Sequence, residues 1–365
     1  MFVFVCAGCG ADLTVPLSRV ALPAHAHQTY GNGVQLPVLM ESGTFAVEPD
    51  PWGPPWRRWA EFRPDEAAAR GIHAPVHAPP DGAPGAIVLA PGDTRNTVLI
   101  PERCGGSCCG PDGADGPNTA CGVCGLPVAS RIDECSLWQA VWLAPDAVRS
   151  VPVGGVDAAP LSWAELVEAG EGIPPFEPIA TWGGRRGSHH YWSWSPRWEA
   201  AVGQALAHLL VASEGHPVTV PSGLTAEVFQ RALDALLPAG PGVRRAVLAG
   251  PGLPAPDSRA DILLVPTHPR TGETWAPDHH ERLVPLPVGV WLRLAFPEPH
   301  LPVPRSGGMP DGVLRDDPPA PRAHRLFRPD PYVFRRTLVR LPAVRSPRLR
   351  EILEALATHP RADLF

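Results

Sequence analysis

Apolar residues recur every three or four positions in several stretches of the chain, and each stretch carries its own start and stop signals. In SPRWEAAVGQALAHLLVASEG, Ser195 stands at the cap and Pro196 in the first turn; Val202, Leu206, Leu209 and Leu210 share one face, and Gly215 ends the run. TAEVFQRALDALLP repeats the pattern, with Thr225 as cap, Val228, Phe229, Leu233, Leu236 and Leu237 as the apolar stripe and Pro238 as the stop. SPRLREILEALATHP begins at Ser346 and turns Leu349, Ile352, Leu353 and Leu356 inward. A shorter helix is predicted in LSWAELVEAG, where Ser162 and Glu165 make a capping box, Leu161 and Leu166 a hydrophobic staple and Gly170 the stop.

Other apolar runs are too short for helices and rich in branched residues, which predicts strands. AIVLA at 86–90 and TVLIP at 97–101 predict a hairpin across PGDTRN, and LWQAVWL at 137–143 a further strand. AVLAG, DILLVP and VGVWLRLAF predict three more between residues 246 and 296. EPDPWGPPWRRW is broken by proline into an irregular loop, and the Pro-, Gly- and Asp-rich stretch 297–331 predicts a long loop. Strands first, then helices alternating with strands, predict a mixed α+β chain: a β-rich knuckle domain followed by an α/β layer domain.

Composition sharpens the division. All eight cysteines lie at or before residue 135, so the expected organisation is a metal-binding domain over 1–150, a Trp-rich linking segment over 151–197 and an α/β domain over 198–365. The net charge of −6 opposes a broad nucleic-acid surface. All 31 basic residues are arginine, so lysine chemistry such as a phosphate-loop lysine or a Schiff base is excluded. No stretch reaches the roughly 18–20 apolar residues of a membrane span, and MFVFV before Cys6 is too short for a secretory leader. A cytoplasmic compartment follows, in which cysteines serve as ligands or redox thiols rather than disulfides.

Two phrases, CAGCG at Cys6 and Cys9 and CGVCG at Cys121 and Cys124, repeat one pattern. They resemble the paired knuckles of zinc-ribbon and rubredoxin-like sites. That resemblance implies four thiolates around one tetrahedral ion, zinc or alternatively iron, with Gly10 and Gly125 supplying the turn after each second cysteine. It spans about ten residues and implies a site, not a whole-chain fold. The departure is the gap: 111 residues separate Cys9 from Cys121, against roughly 15–20 in the usual spacing. Loop closure grows by only about 0.6 kcal/mol per doubling, so the longer gap adds roughly 1.5 kcal/mol. Structural zinc contributes on the order of 10–16 kcal/mol, and metal binding wins.

Cys104, Cys108, Cys109 and Cys135 could form a second metal site or a redox pair, although adjacent Cys108 and Cys109 should point apart on an extended backbone. His25 and His27, on one face if HAH is a strand, and His73 with His77, could hold a metal, against the commoner reading as capping or solvated residues. The stretch TWGGRRGSHHYWSWSPRW offers Trp182, Trp192 and Trp194 with Arg185, Arg186 and His189 as a ligand surface; the alternative is that its aromatic rings pack into the core. No catalytic dyad is legible. The sequence therefore predicts a zinc-stabilised binding or adaptor protein with a protein partner, and alternatively a metal- or thiol-dependent enzyme.

Overall fold

The computed structural model describes residues 1–30, 34–106, 108–154, 159–182, 188–237, 239–277, 282–297 and 326–358, with side chains described for all of these except 180–182, 188–192 and 356–358. It is a mixed α+β structure. A seven-stranded sheet runs in the order β2 (Ser18–Arg19), β4 (Thr44–Val47), β5 (Ile87–Leu89), β9 (Ala140–Leu143), β8 (Pro127–Ile132), β7 (Thr119–Cys121), β6 (Thr97–Leu99). Its central strands are apolar on both faces: Val88, Leu89, Val128, Ala129, Ala140 and Leu143 are fully buried. A two-stranded antiparallel ribbon of β1 (Phe2–Cys6) and β10 (Val148–Pro152) packs on one face through Phe4, Leu13, Leu17 and Phe45.

The remaining strands form two sheets. β12 (Ser188–Trp194) and β11 (Phe176–Trp182) make a hairpin that β3 (Val34–Gln35) joins, so a strand from the first half of the chain closes on the segment leading into the second. β13 (Val218–Thr219), β14 (Arg244–Leu248), β15 (Ile262–Thr267) and β16 (Leu283–Pro287) form a parallel sheet in chain order. The helices are α1 (Pro64–Ala69), α2 (Trp163–Ala169), α3 (Pro196–Ser213), α4 (Leu224–Leu236), α5 (Val288–Ala295), α6 (Pro331–Arg340) and α7 (Pro347–Thr358). The largest core lies around α3, where Val202, Leu206, Leu209 and Leu210 meet Phe229, Leu233, Trp291 and Phe334. A Cβ at Gly203 would lie 2.6 Å from the carbonyl oxygen of Asp330, so only glycine allows α6 to cross α3 this closely.

The predicted α2 carries both hydrogen bonds of its capping box, and Gly170 ends it at φ 63°. Four other expectations are corrected. AIVLA and TVLIP are both strands, but not a hairpin: β5 pairs with β4 and β9, and β6 lies at the far edge beside β7. Buried Asp93 explains this, since its carboxylate accepts from Ser42 Oγ (2.7 Å) and Gly43 N (2.8 Å) while Arg95 N donates to Leu13 O (2.7 Å). Those bonds tie the connection to two other segments instead of letting it fold back. VGVWLRLAF contains helix α5, not a strand; a short, mostly apolar run satisfies either period, and the strand is the preceding LVPLP, whose prolines an edge position tolerates. Helix α4 is capped by Gly223, leaving Thr225 inside; Ser195 is the N-cap residue of α3 as expected, its hydroxyl donating to Glu177 Oε1 (2.8 Å) rather than bonding to the helix backbone. Helix α6, capped by Asp330 through Val333 N (2.8 Å), begins at the end of the stretch read as loop and extends beyond it.

Polar groups stitch the two halves together. Tyr30 Oη donates to Glu199 Oε2 (2.6 Å) and Gln28 Nε2 to Pro196 O (3.0 Å). Glu48, 1% exposed, bonds to His27 and accepts from Arg336 Nη2 (3.3 Å), and Arg340 Nε lies 2.8 Å from Asp50. Burial acts to raise the Glu48 carboxyl, but the hydrogen bond and charge of His27, then Arg336, outweigh it and hold the group below its ordinary value. Among the described residues no helix is long and apolar enough to cross a membrane.

Candidate metal centre

Each CxxCG phrase closes the same local structure. In the first, Cys6 ends β1, Gly10 N donates to Cys6 O (2.9 Å) and Cys6 N donates to Ala11 O (2.9 Å). In the second, Cys121 ends β7, Gly125 N donates to Cys121 O (2.9 Å) and Cys121 N to Leu126 O (2.8 Å). Gly10 and Gly125 adopt φ 78° and 76°, the left-handed region that lets the chain turn back after the second cysteine. Even the neighbouring ties correspond, with Ala7 N bound to Ala147 O and Gly122 N to Asn96 O. The two knuckles are local copies hung on different strand pairs.

The fold brings them face to face. Cys6 Sγ lies 3.5 Å from Cys124 Sγ, and Cys9 Sγ lies 3.6 Å from Cys121 Sγ. All four sulfurs lie within 4.8 Å of one another. A tetrahedral ion with metal–sulfur bonds of about 2.3 Å requires sulfurs about 3.8 Å apart, so this donor set can hold such an ion with little movement. All four cysteines are free thiols; Cys6 and Cys121 are fully buried, whereas Cys9 and Cys124 face outward. The first cysteine of each knuckle sits in the core and the second covers the site. A Cβ at Gly8 would meet Cys124 Sγ at 3.4 Å and Cys6 Sγ at 3.7 Å, so the first knuckle wraps the sulfurs closely.

The electrostatics favour ligation. Burial acts to raise the Cys121 thiol, but the backbone N–H groups of Cys124 and Val123, with the thiols of Cys9 and Cys6, outweigh it and bring it down to about 7. At Cys9 the backbone N–H of Ala11 favours the thiolate; desolvation and the other three thiols prevail, and the group is pushed up to about 12. Four thiols sharing one site cannot all ionise without a cation among them, and a divalent ion supplies the missing charge.

Of the remaining cysteines, Cys108, Cys109 and Cys135 form a second group with Glu134, their ligand atoms also within 4.8 Å of one another. The expectation that Cys108 and Cys109 diverge is not met. Residues 108–110 form a bend, drawn in by Cys109 N and Gly110 N, which both donate to Glu134 Oε2 (3.1 Å), while Cys135 Sγ lies 3.4 Å from Cys108 Sγ. Cys104 stays outside, its thiol 3.2 Å from Ile100 O. Glu134 was missed by counting cysteines alone; its place beside Cys135 was the available signal. The Cys135 N–H donates to Cys109 Sγ (3.0 Å) and favours its thiolate, but desolvation and the neighbouring Cys135 and Glu134 outweigh this and raise the thiol above its ordinary value.

The histidines do not gather. Residues 24–27 form a turn, not a strand, and send the two rings apart: His25 lies against Trp138 (centroids 4.3 Å apart), while His27 bonds Glu48 and stacks on Trp142. His73 faces Arg345 and His77 lines a separate cavity. Among the described residues no metal-ligating group contains a histidine. In the Trp-rich stretch, Trp194 and Trp198 are buried in the core around α3. Arg185 and Arg186, and the side chains of Trp182, His189 and Trp192, lie outside the described set.

No family model, curated protein or solved structure matches this chain.

Proposed function

We propose that this chain is a zinc-stabilised cytoplasmic protein that works by binding a protein partner, its metal held by Cys6, Cys9, Cys121 and Cys124 as a structural centre. The observation that carries the reading is the pair of matched knuckles with sulfurs 3.5 and 3.6 Å apart across the site. Four thiolates saturate a tetrahedral ion, leaving no open position for water or substrate, which is the arrangement of structural rather than catalytic zinc. A partner-binding role is supported by Val98, Leu99 and Val123, which are 50–68% exposed on the edge strand β6 and the second knuckle, Val98 packing beside Gly122 of that knuckle.

Elemental analysis of the purified protein should give about one zinc per chain, and cobalt substitution should give the intense visible and charge-transfer bands of tetrahedral thiolate ligation. Iron in place of zinc would keep the site and change the metal; absence of any bound metal would end the proposal. A second reading, thiol chemistry at Cys108, Cys109 and Cys135, is favoured by the 3.4 Å approach of Cys135 to Cys108. It requires a reversible disulfide between these two, detectable by mass spectrometry after mild oxidation.

A further inference from the structure

Away from both cysteine groups, a cavity of about 250 Å³ opens where the first half of the chain meets the parallel sheet. Its floor is the carboxyl end of two adjacent strands, with Thr267 ending β15, His268 after it and Pro287 ending β16. The crevice outside the carboxyl ends of parallel strands is the usual ligand position in α/β sheets. The first turn of α5, Val288 to Val290, forms one wall, and residues 21–25 close the other side. Most of the lining is apolar: Leu22, Pro23, Ile173 and Val288.

Several polar atoms in this cavity are not spent on the fold's hydrogen bonds. Among the described residues Arg197, in the first turn of α3, is the only formally charged side chain lining it, and no carboxylate pairs with it; its guanidinium lies over the Trp138 ring (5.8 Å to the centroid), and its Nε is buried with no hydrogen-bond partner. His25 Nε2 is likewise buried and unpartnered. Gln204, two turns along α3 on the same face as Arg197, lines the cavity with no hydrogen bond from its amide to the described residues. By contrast His268 is fully used, its Nε2 bonded to Leu161 O (2.9 Å) and its Nδ1 accepting from Arg270 N and Thr271 N. Helix α5 adds a fourth element, since Pro287 offers no side-chain cap and the first-turn N–H groups of a helix have no intrahelical acceptor. Buried polar atoms are rarely left without a partner, and here Arg197 Nε and His25 Nε2 both are.

The geometry points to a binding site for a small organic monocarboxylate with an apolar body, its carboxylate between Arg197 and the start of α5 and its tail against Ile173 and Leu22. The Arg197 fork suits a planar carboxylate, and Gln204 and His25 complete its hydrogen bonding. Burial, with the positive charge of Arg197 second, holds the His25 pKa down to about 3, so at neutral pH the ring is uncharged and can donate or accept according to the ligand. A single cation in a mostly apolar cavity fits a carboxylate better than a free phosphate. At about 30 Å³ per water-sized group the space takes roughly eight such groups, which sets the size of the ligand.

The test is calorimetric titration of the full-length, metal-loaded protein with phenylacetate, with phenylacetamide as the neutral isostere and inorganic phosphate as the competing anion. The expected result is saturable phenylacetate binding, about tenfold or more weaker for the amide and for Arg197→Gln. Gln204→Glu, which pairs Arg197 internally and repels an anion, should weaken it equally and decides the matter if the arginine variant fails to fold. No saturation at millimolar phenylacetate, equal binding of the amide, tighter binding of phosphate, or undiminished binding by folded Gln204→Glu would each overturn the assignment. None of these outcomes depends on the identity of the knuckle metal, so the two proposals stand or fall separately.

Discussion

Cys9→Ser removes one of four ligands while leaving the buried pair Cys6 and Cys121 in place, which makes it the cleanest probe of the knuckle centre. If zinc contributes on the order of 10–16 kcal/mol over four thiolates, one ligand accounts for about 3–4 kcal/mol, or two to three decades in metal affinity. That is comparable to a large part of a domain's whole stability of about 5–15 kcal/mol. The effect should not spread evenly. The ribbon of β1 and β10 is held to the seven-stranded sheet by the small core around Phe4, Leu13 and Phe45, to which the proposed ion would add a second tie. The core around α3 contains none of the cysteines. Hydrogen-exchange mass spectrometry should therefore show lost protection at Phe2–Cys6, Thr119–Cys121 and Val148–Pro152, with α3 and β15 unchanged, and chelator treatment of the wild type should reproduce the pattern. A Cys9→Ser protein that keeps its metal and its protection would refute the reasoning. One that keeps its fold but loses a measurable activity would make the metal catalytic.

Two further outcomes follow from groups outside the centre. His25 falls from 6.5 to about 3, chiefly through burial and secondarily through Arg197, so between those values the unfolded chain binds a proton that the folded one refuses. Stability contributed by the neutral ring is present above pH 6.5 and lost as pH falls; moving from pH 7 to 5 should cost about 2 kcal/mol, read as a lower urea midpoint, and His25→Gln should remove that part of the loss. Equal pH sensitivity in the variant would refute the assignment. Gly203→Ala would bring a methyl group to 2.6 Å from Asp330 O, so α6 must move; the overpacking cost of about 1–3 kcal/mol exceeds the usual gain of about 0.5–1 kcal/mol from replacing a helical glycine, and the thermal midpoint should fall rather than rise.

Legibility in the sequence followed how local each signal was. The knuckle turns rest on five contiguous residues each, and the capping box of α2 on four, so both could be read directly. The second cysteine group could be only half read: its cysteines were visible, but the bend that gathers Cys108 and Cys109 depends on Glu134, 25 residues from Cys109. The false hairpin has the same origin, because Asp93 binds Ser42 and Gly43 some 50 residues away, and no short-range rule sees that partner. VGVWLRLAF failed for a different reason: six of the eight residues of α5 are buried and only Arg293 is charged, so the polar face is too narrow to reveal a helical period. The cavity beside Arg197 draws on residues from 21 to 290, and nothing in those scattered positions announces a common wall.

The distance between the matched knuckles also imposes an order of events during synthesis. At roughly 5–20 residues per second, a ribosome takes on the order of ten seconds to go from Cys9 to Cys121. Throughout that interval Cys6 and Cys9 offer only two of the four thiols of the proposed centre, half the donor set a tetrahedral ion needs. An ion at the proposed centre could be enclosed only after β7 and the second knuckle emerge, by which time β4 and β5 are already made. Under the proposed function, metal loading is then a late closing step for the first sheet, and chains made without the metal would be left with that closure undone.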